Sequence, residues 1–219
     1  MNDVKILDRK YPEIEKLVLE IRDNNNVNSR LRKKVYKLGS AMGEIINDDG
    51  YDITSPSLMS LLRAGEPLGN GVDEVYQCDK IAYMSARRDE KTLKPCVEYL
   101  RIPDINGTDF ILADSMCATG GSVIGSLEIL EAQKDCCGTP NTLTLMFAIS
   151  SKYGIEKILE KYGNKVNIVT GTMITDYVSG GIGPGLDNRG YIINPYGEPR
   201  DLGDDMFGEP KNQEYKPIF

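Results

Sequence analysis

The sequence contains no histidine among its 219 residues. This absence excludes Ser/His and Cys/His nucleophilic catalysis, and it also excludes imidazole ligands for a metal ion. Five cysteines are present, but no two of them form a C-x-x-C pair, and their odd number favours reduced thiols and disfavours a zinc site. Any chemistry must therefore use carboxylates, hydroxyls, backbone amides, Lys, Arg or a metal ion carried by a ligand.

The chain also lacks long apolar runs and an excess of positive charge. No run approaches the roughly 18 apolar residues that span a bilayer, and the beginning has no apolar region typical of a signal peptide, so we expect a cytoplasmic protein with no membrane partner. The net charge of −7 disfavours a nucleic-acid partner. The composition, 40% hydrophobic and 27% charged, indicates one folded domain over residues 1–219.

Hydrophobic periodicity predicts an α/β fold. Apolar residues at helical spacing predict two N-terminal helices, Tyr11 to Arg22 and Ser29 to Ile46, and two later helices, Val123 to Gln133 and Ile155 to Lys161. Short apolar runs predict strands at Leu58 to Leu62, Lys80 to Ser85, Asp109 to Ala113, Thr142 to Ser150 and Val166 to Ile174. This alternation is typical of a doubly wound parallel sheet, in which ligands bind beyond the carboxyl ends of the strands.

A glycine-rich segment, Cys117-Ala-Thr-Gly-Gly-Ser122, follows the third predicted strand, which we expect to end at the carboxylate of Asp114. Its two adjacent glycines allow a tight turn that presents backbone N–H groups, and its Thr and Ser add hydroxyls. A helix that begins near Ser122 would point its positive end at an anion. Taken alone, such a segment is more often an ordinary strand-to-helix turn than a phosphate site.

Four sequence blocks stand in a characteristic order. They are Leu62-Arg63-Ala64-Gly65 with Pro67-Leu68, Arg88-Asp-Glu-Lys-Thr-Leu93 before Pro95, Asp114-Ser-Met-Cys-Ala-Thr-Gly-Gly-Ser122, and Leu186-Asp-Asn-Arg-Gly-Tyr-Ile192. Together they resemble the uracil phosphoribosyltransferase family of type I phosphoribosyltransferases, over roughly residues 28 to 208. Four ordered blocks are far more specific than one glycine loop. The resemblance implies the type I phosphoribosyltransferase fold, with a C-terminal hood that carries the base-recognition loop.

The resemblance implies transfer of ribose 5-phosphate from 5-phosphoribosyl-1-pyrophosphate to a nucleobase, with uracil and UMP as the leading acceptor and product. Positive charge then builds on the sugar as pyrophosphate leaves, so catalysis is mainly positioning and electrostatics. Asp114 would stabilise the cationic ring, and Arg63 and Arg88 would bind the pyrophosphate as further catalytic residues, with the neighbouring Arg87 as the alternative to Arg88. The implied phosphoribosylpyrophosphate contacts are Arg63, Arg88, Asp114, Ser115, Met116, Cys117, Ala118, Thr119, Gly120, Gly121, Ser122 and Asp201. Mg²⁺ is the implied cofactor, bound through that substrate without a named protein ligand.

The segment from residue 193 to residue 208 departs from the family pattern. Anchoring it on Phe207-Gly208 aligns Asp201 with the aspartate of the family that binds phosphoribosylpyrophosphate. Arg200 then stands where a glycine contacts uracil, and Leu202 stands where an alanine does. The implied base contacts are Tyr191, Ile192, Arg200 and Leu202. Because an arginine adds bulk and donors to a site read by a few hydrogen bonds, the identity of the acceptor base stays open.

Two further departures concern an insertion and a deletion. A glycine-rich insertion over residues 177–185 is either a lid or a flexible connector. The stretch 47–57 is shorter than the β-arm of the family, which alters the expected contacts of a homodimer or a higher homo-oligomer. We accordingly divide the single domain into N-terminal helices (1–50), a core sheet (51–176) and a base-recognition loop with tail (177–219).

Two other functions compete with uracil transfer. One is a transferase for another heterocyclic base, and the other is a non-catalytic relative that binds phosphoribosylpyrophosphate or a nucleotide as a sensor. The presence of both the pyrophosphate arginines and the sugar carboxylate favours an enzyme. An RNA-binding role fits the acidic chain poorly. Activation by a nucleotide such as GTP occurs among relatives, but it leaves no motif in this sequence.

Overall fold

The computed structural model describes residues 4–49, 53–88, 95–193 and 201–208. Seven strands form one sheet: β1 (Val4–Ile6), β2 (Pro56–Leu62), β3 (Lys80–Arg88), β4 (Pro95–Arg101), β5 (Asp109–Cys117), β6 (Thr142–Ser151) and β7 (Asn167–Ile174). The α-helices are α1 (Pro12–Arg22), α2 (Asn28–Asp48), α3 (Gly65–Tyr76), α4 (Gly121–Ala132), α5 (Lys134–Cys137), α6 (Lys152–Tyr162) and α7 (Leu202–Phe207). Short 3₁₀ turns occupy Leu7–Arg9 and Gly163–Lys165.

The sheet is mostly parallel and has the order β1-β7-β6-β5-β2-β3-β4. Only the pairing of β3 with β4 is antiparallel within the described ranges. From β5 the chain winds through β6 to β7 on one side, whereas from β2 it winds through β3 to β4 on the other. The point where the winding reverses therefore lies between β2 and β5, and ligands of doubly wound sheets bind at that point.

Helices cover both faces of the sheet and enclose two apolar clusters. One cluster contains Ile14 from α1, Leu38 from α2 and Leu68 from α3, all completely buried. The other contains Leu127 from α4 and Ile158 from α6. The two clusters arise because strands buried on both faces send successive side chains to opposite sides. None of the helices in the described part of the chain has the length and apolar character needed to cross a membrane.

The structure confirms the five predicted strands and the four predicted helices, with shifts at their ends. One boundary was wrong, because β5 continues past Asp114 to Cys117, so the carboxylate lies inside the strand rather than at its end. Strands β1 and β4 and helices α3, α5 and α7 were not predicted. Helix α3 was not predicted because Gly65, Gly69 and Gly71 lower the intrinsic helix propensity of this segment.

Candidate active site

The candidate site lies at the carboxyl ends of β2 and β5, where the winding of the sheet reverses. The pairing of these strands ends at Ser60 and Ala113, whereas β5 continues to Cys117. From Asp114 onward, β5 thus extends beyond its ladder with β2 and stays paired with β6. This extension leaves room beside Asp114 for the loops that follow β2 and β5.

The loop between β2 and α3 passes close to the extended part of β5. The hydroxyl of Ser115 donates a hydrogen bond of 2.5 Å to the carbonyl of Ala64. A Cβ atom on Gly65 would lie 2.4 Å from the carbonyl oxygen of Ala113 and 3.1 Å from Cα of Asp114. Because any side chain would collide with this backbone, glycine is required for the loop to reach Asp114.

The glycine-rich segment forms a tight turn between β5 and α4. Gly120 has a φ of 77°, which favours glycine, and its carbonyl accepts the N–H of Ile124 at 2.9 Å. The turn packs on the start of α6, where Ser151 Oγ donates to the carbonyl of Ala118 at 2.5 Å. A Cβ atom on Gly154 would lie 2.3 Å from the same oxygen. These contacts fix the turn so that the first N–H groups of α4 are available to an anion.

The side chains that follow Asp114 differ in what they can offer a ligand. Ser115 and Cys117 are 0% and 1% exposed, so they can contribute only backbone groups. Burial also raises the pKa of the Cys117 thiol, which keeps it protonated. Thr119 Oγ1 accepts a hydrogen bond of 3.4 Å from the N–H of the second glycine of the turn, Gly121. Ser122 is exposed at the start of α4, where its hydroxyl can reach a ligand.

Asp114 is a buried carboxyl group, only 9% exposed. Burial raises its pKa from the ordinary value of 3.8 to about 7, and the negative charge of Asp201 acts in the same direction. Hydrogen bonds from the backbone N–H groups of Met116 and Ser115 oppose this rise. The carboxyl group therefore changes its charge near neutral pH, and a cation beside it would favour the ionised form.

This pKa predicts how Asp114 affects stability. Because folding raises the pKa of this carboxyl group, its contribution to the free energy of unfolding is fully present below its pKa in the unfolded chain, which is near 4. That contribution is lost as the pH rises through 7. Asp114→Asn removes the charge, so we expect it to raise the melting temperature at pH 8 by about 5–10 °C, equivalent to a few kcal/mol. This advantage should shrink toward pH 5 and vanish below about pH 4, as measured by thermal unfolding.

The exposed Asp135→Asn variant supplies the control, because it removes the same formal charge from α5, at a residue that is not among the groups that shift the pKa of Asp114. A melting-temperature difference for Asp114→Asn that stays constant from pH 5 to pH 8 would contradict the assignment of a titrating buried carboxyl group.

A short segment that we call the hood (residues 201–208) covers the loop after β2. Arg63 donates from Nη2 to Oδ1 of Asp204 at 2.9 Å and from Nη1 to the carbonyl of Gly208 at 3.0 Å. The side chains of Arg63 and Asp204 are 43% and 36% exposed, so the ion pair lies at the surface. The hood is therefore held by an arginine for which the family resemblance implies a role in pyrophosphate binding.

A second arginine anchors the hood from α2. Arg32 donates from Nη1 to the carbonyl of Met206, and its guanidinium lies 5.3 Å from the ring centre of Phe207. The guanidinium of Arg63 lies 5.9 Å from the same ring. Asp201 begins the hood by accepting the N–H of Asp204 at 3.1 Å, which caps α7. Phe207 is thus contacted by two cations.

Three of the side chains with predicted ligand contacts meet in a small apolar cavity. Met116, Ile192 and Leu202 line it together with Ile149 of β6 and residues of α1. Its volume is about 20 Å³, which is room for about one water molecule. Tyr191 is 41% exposed, and its ring lies 5.3 Å from the guanidinium of Arg189 instead of facing the cavity.

Not every predicted residue can be placed. Arg200 lies outside the described residues, and the backbone of Arg88 ends β3 opposite Pro95, although its side chain is not described. Sequence reasoning missed the contacts of Arg32 and Asp204 with this site. Arg32 carried no signal, since it is one of several cations on α2, whereas Asp204 stood in the segment already compared with the family.

A larger cavity of about 290 Å³ lies away from these residues. It sits near the amino ends of β6 and β7, and Leu127, Tyr162 and Val166 are among its lining residues. None of the predicted site residues that the structure describes borders it. Because ligands of such sheets bind at the carboxyl ends of the strands, Asp114 and not this cavity marks the candidate active site.

A doubly wound sheet with a buried strand carboxylate, a glycine-rich turn before a helix and a C-terminal hood at its switch point defines a phosphoribosyltransferase of type I. A family model described as uracil phosphoribosyltransferase matches residues 25–208. The chain therefore belongs to the uracil phosphoribosyltransferase family.

Individual relatives agree with this assignment. The chain is 31% identical to a uracil phosphoribosyltransferase of Methanothermobacter thermautotrophicus over 80% of its length and 71% of the relative's. It is also 31% identical to one of Sulfurisphaera tokodaii, over 86% of its length and 93% of the relative's. The solved structure of the AQ2163 protein from Aquifex aeolicus shares the fold, with a TM-score of 0.76 and 24% identity over 94% of this chain and 98% of that one.

Proposed function

We propose that this protein transfers ribose 5-phosphate from 5-phosphoribosyl-1-pyrophosphate to uracil and releases UMP and pyrophosphate. The observation that carries the proposal is the convergence, at one switch point of the sheet, of three elements that bear the family motifs. The first is the loop after β2, which carries Arg63. The second is strand β5 with Asp114 and the glycine-rich turn that follows it, which we call the phosphate turn (residues 118–122). The third is the hood. Membership in the uracil phosphoribosyltransferase family supports uracil as the acceptor.

The phosphate turn would hold the 5-phosphate of the sugar. Residues 118–122 present backbone N–H groups at the start of α4, where the helix dipole favours an anion. The exposed hydroxyl of Ser122 adds a donor that the buried Ser115 cannot supply. In this arrangement the turn determines the position of the sugar, and strand β5 determines the position of the Asp114 carboxyl group.

Asp114 would stand beside the ribose ring. In its ionised form it would stabilise the positive charge that develops as the bond between C1 and pyrophosphate breaks. Because burial holds its pKa near 7 in the free protein, binding of a cation or of a cationic transition state would draw the carboxyl group into the charged form. Asp201, which raises the pKa of Asp114, lies close enough to share this role.

The donor set suits magnesium that arrives with the pyrophosphate. Among the described residues, no three carboxylate or thiolate side chains are grouped as a metal site. The neighbouring carboxylates of Asp114 and Asp201 are hard oxygen donors, and magnesium commonly keeps waters and phosphate oxygens as its other ligands. When bound, the ion would supply charge neutralisation for the leaving pyrophosphate.

Two arginines would bind the leaving group. A guanidinium fork matches the oxygens of pyrophosphate, and Arg63 stands at the end of β2 next to the strand that carries Asp114. Arg88 ends β3, the strand that pairs with β2. We assign both to the pyrophosphate, which would place its negative charge opposite the 5-phosphate turn.

The acceptor base would occupy the apolar cavity bounded by Met116, Ile192 and Leu202. Apolar walls suit the faces of a pyrimidine ring, and backbone groups near Tyr191 and Ile192 would read its edge. We also assign Arg200 to the base. Replacing it with glycine is the direct test of whether it sets the acceptor.

A homodimer or larger homo-oligomer in the cytoplasm completes the proposal, with residues 1–219 acting as one domain. The non-catalytic sensor is the second candidate, and two observations favour it: the hood binds the guanidinium of Arg63, and the base cavity has room for only about one water molecule. A sensor would bind phosphoribosylpyrophosphate without turning it over.

Release of pyrophosphate by the purified protein separates these possibilities. The protein would be given Mg²⁺, phosphoribosylpyrophosphate and uracil, cytosine, hypoxanthine or adenine in turn. We expect release with uracil alone. Release with a different base would reassign the acceptor, and saturable binding of phosphoribosylpyrophosphate without release from any base would favour the sensor.

A further inference from the structure

Asp204 binds the guanidinium of Arg63, the group to which the proposed function assigns the pyrophosphate. Its carboxylate and the carbonyl of Gly208 take two of the donors of Arg63, at 2.9 Å and 3.0 Å. We propose that Asp204 is a positioning residue that competes with pyrophosphate for Arg63 and so couples pyrophosphate binding to release of the hood. The proposal rests on the proposed function, since it needs a pyrophosphate site at Arg63.

The exposure of the ion pair indicates whether Asp204 or pyrophosphate binds Arg63 more strongly. Arg63 and Asp204 are 43% and 36% exposed, and exposed ion pairs contribute little because water screens them. A pyrophosphate carries several negative charges and can accept two guanidinium hydrogen bonds at once. It would therefore displace the single carboxylate when it binds, whereas Asp204 holds Arg63 when the site lacks pyrophosphate.

Displacement of Asp204 would remove the ion pair with Arg63, and the hood would then be held by α2 and by its own buried apolar side chains. Arg32 keeps its bond to the carbonyl of Met206 and its contact with Phe207, because neither involves Arg63. Leu202, which lies at the other end of α7, borders the base cavity of about 20 Å³. A uracil ring cannot enter a space that holds about one water molecule unless this wall moves. Release of Arg63 thus connects the pyrophosphate site to the opening of the base site.

The competition predicts that removing the charge of Asp204 tightens pyrophosphate binding. We expect Asp204→Asn to bind inorganic pyrophosphate with Mg²⁺ about twofold to fivefold more tightly than the wild-type protein, as measured by calorimetry. Asp205→Asn is the matched control, because it removes the same charge one residue away. Asp204→Glu, which keeps the charge, should bind pyrophosphate with nearly wild-type affinity.

Hydrogen exchange of the hood amides gives a second readout, which can be taken both in the free protein and with pyrophosphate bound. Asp204→Asn should speed exchange over residues 202–207 in the free protein, whereas in the wild-type protein pyrophosphate should speed the same amides. Equal tightening in Asp204→Asn and Asp205→Asn would overturn the competition, because it would show a general charge effect. Weaker binding in Asp204→Asn would also overturn it. If the wild-type protein binds neither pyrophosphate nor phosphoribosylpyrophosphate, the proposed function itself fails and the competition fails with it.

Discussion

Replacing Asp114 with asparagine is expected to lower kcat by about 100-fold, the usual cost of losing one electrostatic group at a developing charge. The dissociation constant for phosphoribosylpyrophosphate should change much less. The ground-state sugar is uncharged at C1, so the carboxylate matters most when the ring becomes cationic. Asparagine preserves the shape of the side chain and one acceptor for the N–H groups of Met116 and Ser115.

The measurement compares single-turnover rates with equilibrium binding of phosphoribosylpyrophosphate for both proteins. Equal losses in rate and binding would count against a transition-state role and would make Asp114 a binding residue only. Asp135→Asn, an exposed substitution on α5 that leaves every predicted site residue in place, should leave both quantities unchanged.

The pH dependence supplies an independent check of the same assignment. If ionised Asp114 is the active form, wild-type kcat/KM should rise as the pH increases through about 7, the pKa that burial gives this group. Asp114→Asn has no such group, so its residual activity should lack this rise. The same substitution that raises stability at pH 8 should therefore lower activity there, which is the usual conflict between a buried charge and a stable fold.

The fold could be predicted from the sequence where apolar runs are long. Strands β5, β6 and β7 are buried on both faces and contain short apolar runs, so their alternation with helices indicated a parallel sheet. Strand β1 has only three residues and none of them is fully buried, so it produces no comparable signal. Helix α3 forms through packing on α2: a Cβ on Gly71 would lie 2.1 Å from the carbonyl of Tyr36.

Only part of the candidate site could be predicted, because some of its contacts join residues that are distant in the sequence. Motif residues such as Arg63 and Asp114 are recognised by their neighbours in the sequence. The contacts of the hood join residues far apart in the chain, as Arg32 joins Met206 and Arg63 joins Asp204, and no periodic pattern marks such pairs. The pKa of Asp114 likewise depends on burial and on Asp201, which only the folded chain brings near.

The extension of β5 past Asp114 shows how folding changes the interpretation of a motif. The sequence suggested a strand that ends at the carboxylate and a loop that follows. In the structure the pairing with β6 continues through Cys117, so the position of Asp114 is fixed by a ladder and not by a flexible turn. A catalytic carboxylate on a rigid strand keeps its geometry better than one on a loop, which suits a reaction that depends on positioning.

Gly65 is the position at which a single methyl group should do the most damage to substrate binding. A Cβ atom there would lie 2.4 Å from the carbonyl oxygen of Ala113 and 3.1 Å from Cα of Asp114, and both are backbone atoms that cannot rotate away. Gly65→Ala must therefore move the loop that carries Arg63 away from β5. We expect the dissociation constant for phosphoribosylpyrophosphate to rise by about 10-fold or more, together with a stability loss of about 1–3 kcal/mol.

Gly171→Ala separates the binding effect from the loss of stability. Its Cβ atom would lie 2.6 Å from the carbonyl oxygen of Ala148, in the core near Val18 and Leu38 and away from the loop after β2. Both variants should melt earlier than the wild-type protein, but only Gly65→Ala should lose phosphoribosylpyrophosphate affinity when both are assayed well below their melting temperatures. Equal affinity in the two variants would mean that the Arg63 loop does not need its contact with β5, and the pyrophosphate site would then have to be built from other residues.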